Sequence, residues 1–296
     1  MNTGFTNVSL EEKDRYYELW QKTPRRSLDY SLVNLWGWQE HYCLEWQFSD
    51  GLCWIRQTKP ETIWWAPVGP WHEVDWRAIF GRLCVDKQRS FIRVPEELLN
   101  VWHEVLADRI RAEEDRGQWE YLYLQKDLAG LAGNKLHKKR NHYNSYVKTY
   151  GSPDYRAIDD RMIQDVLSVQ DDWCQWHECD DSPSLMAEND AVNRVLLHWN
   201  NFRNLLGGSL YLEGRMVAFS VGEQLDDETL GVHFEKGLNG FKGVYQAMNC
   251  EFARHAGEGK LWINRAQDMD EEGLRQAKLT YMPTDYLRKF KVSWIC

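Results

Sequence analysis

Residues 209–234 read SLYLEGRMVAFSVGEQLDDETLGVHF. The run Ser209 to Leu212 is apolar, the turn Glu213-Gly214-Arg215 interrupts it, and Met216 to Gln224 resumes it. A polar break from Leu225 to Glu228 then precedes a third alternating run, Thr229 to Phe234. Short aromatic and β-branched runs punctuated by Gly and Asp predict an antiparallel meander of three strands. Upstream, a helical stretch from Glu188 to Leu206 ends at Gly207-Gly208. Downstream come a glycine loop from Gly237 to Gly243, a helix from Tyr245 to His255 and a short strand from Lys260 to Asn264. A helix from Glu271 to Thr280 and a strand-like run from Tyr286 to Trp294 close the chain.

The order helix, meander, helix, strand, helix, strand is that of a GNAT acyltransferase core, in which the third meander strand parts from a parallel neighbour and opens a cleft. The first half repeats it more loosely. Helices are expected over Leu10 to Gln21 and Leu28 to Trp36, and strands over Cys43 to Phe48, Leu52 to Gln57 and Thr62 to Trp65. A helix from Trp76 to Val85, a strand from Phe91 to Val94, a helix from Pro95 to Leu106 and a strand from Glu120 to Leu124 complete the repeat. The expected fold class is therefore α/β (α+β): two tandem GNAT-like folds, each a mixed, mostly antiparallel sheet flanked by helices. Residues 1–126 form the first domain, 127–153 a basic helical connector ended by Gly151-Ser152-Pro153, and 154–296 the second domain with the active site.

Composition narrows the classes. With 43% hydrophobic and 27% charged residues the chain can build a core. Charges interrupt every apolar run, so no membrane span is expected, and Met1 to Trp20 lacks the features of a secretory signal, which places the protein in the cytoplasm. The seven cysteines, Cys43, Cys53, Cys84, Cys174, Cys179, Cys250 and Cys296, show no paired spacing and are expected as reduced thiols. Cys174, His177 and Cys179 also carry a three-ligand zinc spacing, but no metal is assigned. A net charge of −9 argues against a general nucleic-acid binder. Tryptophans crowd the first half at positions 36, 38, 46, 54, 64, 65, 71 and 76, either as core packing or as an aromatic substrate slot.

Three strings carry a resemblance: His137-Lys138-Lys139-Arg140-Asn141-His142-Tyr143-Asn144, then His233-Phe234-Glu235-Lys236, then Gly273-Leu274-Arg275-Gln276-Ala277-Lys278 with Tyr281 and Pro283. Together they resemble an uncharacterised bacterial family carrying the C-terminal domain of phosphatidylglycerol lysyltransferase, along nearly the whole chain. The resemblance implies a tandem GNAT fold shared with the Fem-type aminoacyltransferases, which move an aminoacyl group from tRNA to an amine, and with lipid lysyltransferases, which move one to a hydroxyl. No membrane-spanning region is expected here, unlike in the lipid lysyltransferases, which tells against a lipid acceptor.

The residues themselves propose a site. Lys138, Lys139 and Arg140 form a basic row that suits phosphates of tRNA or coenzyme A, or else a solvated helix face. Gly240, Lys242, Gly243 and Tyr245 lie between a strand and a helix, where a GNAT protein holds pyrophosphate, although the glycine pattern is shorter than usual. Glu235 is the expected base and His233, two residues earlier, is expected on the same strand face; Tyr281 is the expected acid for the leaving group. Asn264, Asp268, Arg275 and Lys278 are expected to hold substrate, the acidic loop receiving an ammonium.

The expected function is acyl or aminoacyl transfer from acyl-CoA or aminoacyl-tRNA to an amine or hydroxyl of a small-molecule or peptide acceptor. No cofactor is expected to be tightly bound, and tRNA is a further expected partner. The competing reading is a non-catalytic RNA- or nucleotide-binding module that keeps the fold.

Overall fold

The computed structural model describes residues 4–83 and 90–294. The chain forms two compact units, residues 1–119 with 287–296, and residues 120–286.

Unit 1 begins with β1 (Thr6–Asn7), α1 (Lys13–Lys22) and α2 (Leu32–Tyr42), with a 3-10 turn at Leu28–Tyr30 before α2. Ser31 starts α2 because its hydroxyl accepts from the amides of Val33 and Asn34, satisfying donors that the helix leaves orphaned. β2 (Glu45–Ser49), β3 (Leu52–Gln57) and β4 (Ile63–Trp65) form an antiparallel meander. Then follow α3 (Trp76–Leu83), β5 (Ser90–Pro95), α4 (Glu96–Leu106) and β6 (Ile110–Glu114). β4 and β5 are parallel, pairing Trp64 with Phe91 and Trp65 with Ile92. Trp46, Trp54, Trp65, Trp71, Trp76 and Trp102 are buried, so these indoles are packing rather than a substrate slot.

Unit 2 contains β7 (Glu120–Leu124), α5 (Gln125–Gly130), α6 (His137–Tyr150), β8 (Asp154–Ala157), α7 (Ile163–Trp176), α8 (Pro183–Leu197), β9 (Leu205–Leu212), β10 (Arg215–Gln224), β11 (Thr229–Gly237), α9 (Val244–His255), β12 (Trp262–Asn264), α10 (Glu272–Leu279) and β13 (Asp285–Leu287). Its sheet runs β13-β7-β12-β11-β10-β9-β8. β9, β10 and β11 are the expected antiparallel meander, and β11 pairs in parallel with β12. β14 (Lys289–Trp294) belongs to unit 1, where it lies antiparallel between β5 and β6. Each unit is thus a GNAT-like mixed sheet flanked by helices.

Several expectations change. The division at 126 and 153 gives way to one at 119 and 286, because β7 pairs with β12 while β14 pairs with β5 and β6. The connector is two helices integral to unit 2, with Tyr146 of α6 in that unit's core. Gly207 and Gly208 lie inside β9 instead of ending a helix: a Cβ at Gly207 would meet Ile158 at 2.7 Å, and one at Gly208 would meet Tyr155 Oη at 2.4 Å. They are glycines because neighbours press on the strand. Cys174 and Cys179 form a disulfide, correcting the expectation of thiols throughout and using both sulfurs of the zinc spacing. The chain turns after α7 through Glu178, at φ 52, which brings the two Cα atoms to 5.1 Å, within disulfide reach. Cys43, Cys53 and Cys250 are free, whereas Cys84, Cys296 and the helix end expected at Val85 lie outside the described residues. Among the described residues, no helix is long and apolar enough to cross a membrane.

Candidate active site

β11 and β12 pair only from Thr229–Gly231 against Trp262–Asn264. β11 then continues to Gly237 while the other chain turns away, so the sheet splays at Asn264. Arg265 is the first residue past the splay, and its Nη2 reaches back to Glu235 Oε1 at 3.1 Å. Glu235 Oε2 accepts from Ser220 Oγ at 3.1 Å and Asn249 Nδ2 at 3.3 Å. The expected base is therefore fixed by donors from β10, α9 and the splayed strand. Arg265 Cζ lies 4.8 Å from the centre of the Tyr281 ring and 5.9 Å from that of Tyr123. Lys139 of α6 places its Nζ 4.1 Å from the Tyr281 ring, so two cations share one aromatic ring.

His233 does not join this group. The β10–β11 register slips between Val221, opposite Phe234, and Gly222, opposite Val232, leaving His233 as a bulge. His233 Nε2 lies 3.2 Å from Glu223 Oε2. Glu223 and Ser220 are three residues apart on β10 and leave opposite sheet faces, so the histidine and Glu235 are separated by the sheet. The period-2 expectation fails because one extra residue inverts it.

The substrate residues also divide. Lys278 is buried and its Nζ donates to the Arg265 carbonyl, while Tyr123 Oη donates to the Lys278 carbonyl at 2.9 Å. Asp268 is already saturated: Arg275 donates to it through Nε and Nη2 at 2.9 Å each, and Tyr121 Oη donates at 2.5 Å. Arg275 also donates to Asp270 at 2.6 Å. The expected ammonium pocket is thus filled by the chain's own guanidinium. Asn264 is structural as well, donating to Glu120 at 2.5 Å and accepting from the Ala266 amide at 3.0 Å.

In the basic row, Lys139 turns into the site, Lys138 is exposed, and Arg140 donates to the carbonyls of Leu131 at 2.7 Å and Gly133 at 3.0 Å. The expected pyrophosphate loop is covered by α6. A Cβ at Gly243 would stand 2.4 Å from the His142 carbonyl oxygen. The Lys242 amide donates to Tyr150 Oη at 3.1 Å, and Tyr150 Oη donates to the Gly240 carbonyl at 3.4 Å. Tyr245 Oη accepts from Trp173 Nε1 at 2.7 Å, beside Lys236, which stacks on Trp173 and pairs with Glu188.

Electrostatics follow from this packing. Burial lowers the Lys139 amine and Arg265 lowers it further. Burial and then Arg265 bring Lys278 down to about 7, against the pull of Glu235, Asp268 and Glu120. Burial raises Tyr281 to about 12 although Arg265 opposes it, so the phenol keeps its proton at neutral pH. Burial disfavours the Arg265 charge, but Glu235 and the facing tyrosines more than offset it and hold the guanidinium above its ordinary range. A fixed carboxylate, a protonated phenol and two cations at a strand splay can accept a proton, donate one and stabilise an oxyanion. Sequence reasoning missed Arg265, Ser220, Asn249 and Tyr123. Arg265 had one usable signal, its place just beyond the carboxyl end of a strand in an α/β sheet.

The chain matches the family described as phosphatidylglycerol lysyltransferase, C-terminal, over residues 20–293. It is 31% identical to a conserved protein of unknown function from Bacteroides thetaiotaomicron VPI-5482, whose crystal structure superposes with a TM-score of 0.88 over 98% of this chain and 99% of that one. The structure of L-PGS from Bacillus licheniformis is 12% identical with a TM-score of 0.64, over 95% of this chain and 91% of that one, a likeness of fold. An uncharacterized protein of Mycoplasmoides gallisepticum is 25% identical over 177 residues, 60% of this chain and 56% of its own, so the chain spans a little over half the length of that curated relative. With its sequence match over residues 20–293 and its two GNAT-like sheets, the chain belongs to the family of phosphatidylglycerol lysyltransferase C-terminal domains.

Proposed function

We propose that unit 2 transfers an aminoacyl group from an ester donor of the aminoacyl-tRNA type to an amine or hydroxyl acceptor. The observation that carries this reading is Glu235 facing Arg265 across the β11–β12 splay. The acceptor's proton passes to Glu235 as its lone pair attacks the ester carbonyl carbon. The resulting oxyanion is stabilised by Arg265 and Lys139. Collapse breaks the bond to the ribose oxygen, which takes a proton from Tyr281.

The covering of the glycine loop favours an ester donor over acyl-CoA. His142 packs on Gly243 and Tyr150 already occupies the Lys242 amide, which leaves the usual pyrophosphate position filled by α6. Single-turnover assays with charged tRNA and a panel of amine and hydroxyl acceptors test the reading. Glu235→Gln is expected to lower the transfer rate by about 10²–10⁴-fold while leaving donor binding intact. Undiminished transfer by this variant would sink the assignment. The exposed outer side of α6, with Lys138 and Lys148, favours one further reading, RNA binding without chemistry. Salt-dependent tRNA binding with no turnover for any acceptor would select it.

A further inference from the structure

Unit 1 carries the same plan as unit 2 at its own parallel strand pair. There the last pair is Trp65 with Ile92, and the next residue is Arg93, just as Arg265 follows the last pair of unit 2. Arg93 is buried and Arg265 partly buried, and both guanidiniums lie over aromatic rings, Arg93 at 4.1 Å from Trp65 and 5.5 Å from Tyr42. Each bonds a carboxylate, and each site contains a buried lysine. The source of the carboxylate differs. Glu235 comes from β11, inside the sheet, whereas Asp29 comes from the 3-10 turn Leu28–Tyr30, outside the sheet. Both Arg93 Nη1 and Lys289 Nζ donate to it, one to each carboxylate oxygen.

Two further features mark the place. Arg93 has φ 58 inside a strand, a left-handed backbone that a non-glycine residue adopts only when its surroundings impose it. Its Nε hydrogen is buried with no acceptor among the described residues, so the guanidinium is not matched in full by the single carboxylate it holds.

We propose that the buried place just past the β4–β5 pair of unit 1 is an anion site for a small carboxylate, and that Asp29 occupies it as a tethered ligand. The chain's own acid stands where a free carboxylate would bind between Arg93 and Lys289. Unit 1 then keeps the cationic half of the shared plan, closed from within.

The test uses the full chain with Asp29→Ala, melted in sodium formate, sodium acetate and sodium chloride at matched ionic strength. The wild type is expected to melt alike in the three salts. The variant is expected to melt lower in chloride and to regain at least half of the lost Tm in formate, along a saturating curve. That regain should vanish in Asp29→Ala with Arg93→Met. A variant that responds to formate no more than to chloride overturns the proposal, as does a formate response that survives loss of Arg93. Should Asp29→Ala not fold in chloride, it is refolded in each salt: recovery in formate alone supports the proposal, and failure in both overturns it.

Discussion

Lys278 has given up hydration that its neighbours only partly replace, so its amine titrates near neutrality. Its folded-state value of about 7 lies below the ordinary 10.5, which means the unfolded chain binds this proton more tightly. Between about pH 7 and 9 the unfolded state therefore carries the extra proton, and stability rises with pH, by on the order of 2 kcal/mol. Above that window Cys250 and Tyr281, both raised by burial to about 12, act the other way, because unfolding releases their protons first. Lys278→Met is expected to be at least as stable as the wild type at pH 7 and to lose the rise; urea midpoints at pH 7 and 9 check this, and equal slopes for the two proteins would refute it. The positions of Lys278, Glu235 and Tyr281 were legible because charged or phenolic side chains stood beside predicted strand and helix ends, whereas the burial of the lysine against the Arg265 carbonyl was not. Arg265 was not, since its one local signal, a place just beyond the end of a short strand, points to a site only once the splay is known. His233 was misplaced for a related reason: a bulge is set by cross-strand packing, and alternation along one strand contains no record of it.

At the scale of elements, α6 presses on the glycine that starts α9. Gly243 has φ 79 and its missing Cβ faces the backbone oxygen of His142, which cannot swing aside as a side chain would. Gly243→Ala should therefore cost more than the roughly 1 kcal/mol of a left-handed alanine, because α6 must also shift. Gly240→Ala is the control: φ is 86 but no atom lies within 4 Å of its Cβ. Denaturation of both variants should rank Gly243→Ala the less stable, and equal losses would mean that α6 does not press on the loop. The same contact explains what the sequence could offer here. The α9 periodicity and the meander turns are local and were legible. That the basic helix would lie on the glycine loop depends on Tyr146, Tyr150 and Phe241 packing together, an arrangement between segments about 90 residues apart.

At the scale of the molecule, chain order and spatial order part company. Tandem repeats read from sequence invite a single cut, but β14, the last strand, lies in the interior of the unit 1 sheet, with β5 on one side and β6 on the other. A fragment of residues 1–126 would leave both of those strands with unpaired edges and would bury Phe91 and Trp102 poorly, since Trp294 is packed with them through Phe80. Such a fragment is expected to be aggregated or to lack a cooperative transition. Residues 154–296 should fail as well, because β7, α5 and α6 are gone, taking Tyr121, Tyr123, Leu128 and Tyr146 out of the core. Residues 120–286 keep all but the last residue of the unit 2 sheet and the whole Glu235 site, and are expected to unfold cooperatively in urea. Circular dichroism of the three fragments through a urea titration decides the matter: cooperative unfolding of 154–296 with none in 120–286 would show that the sequence boundary, and not the strand pairing, divides the chain.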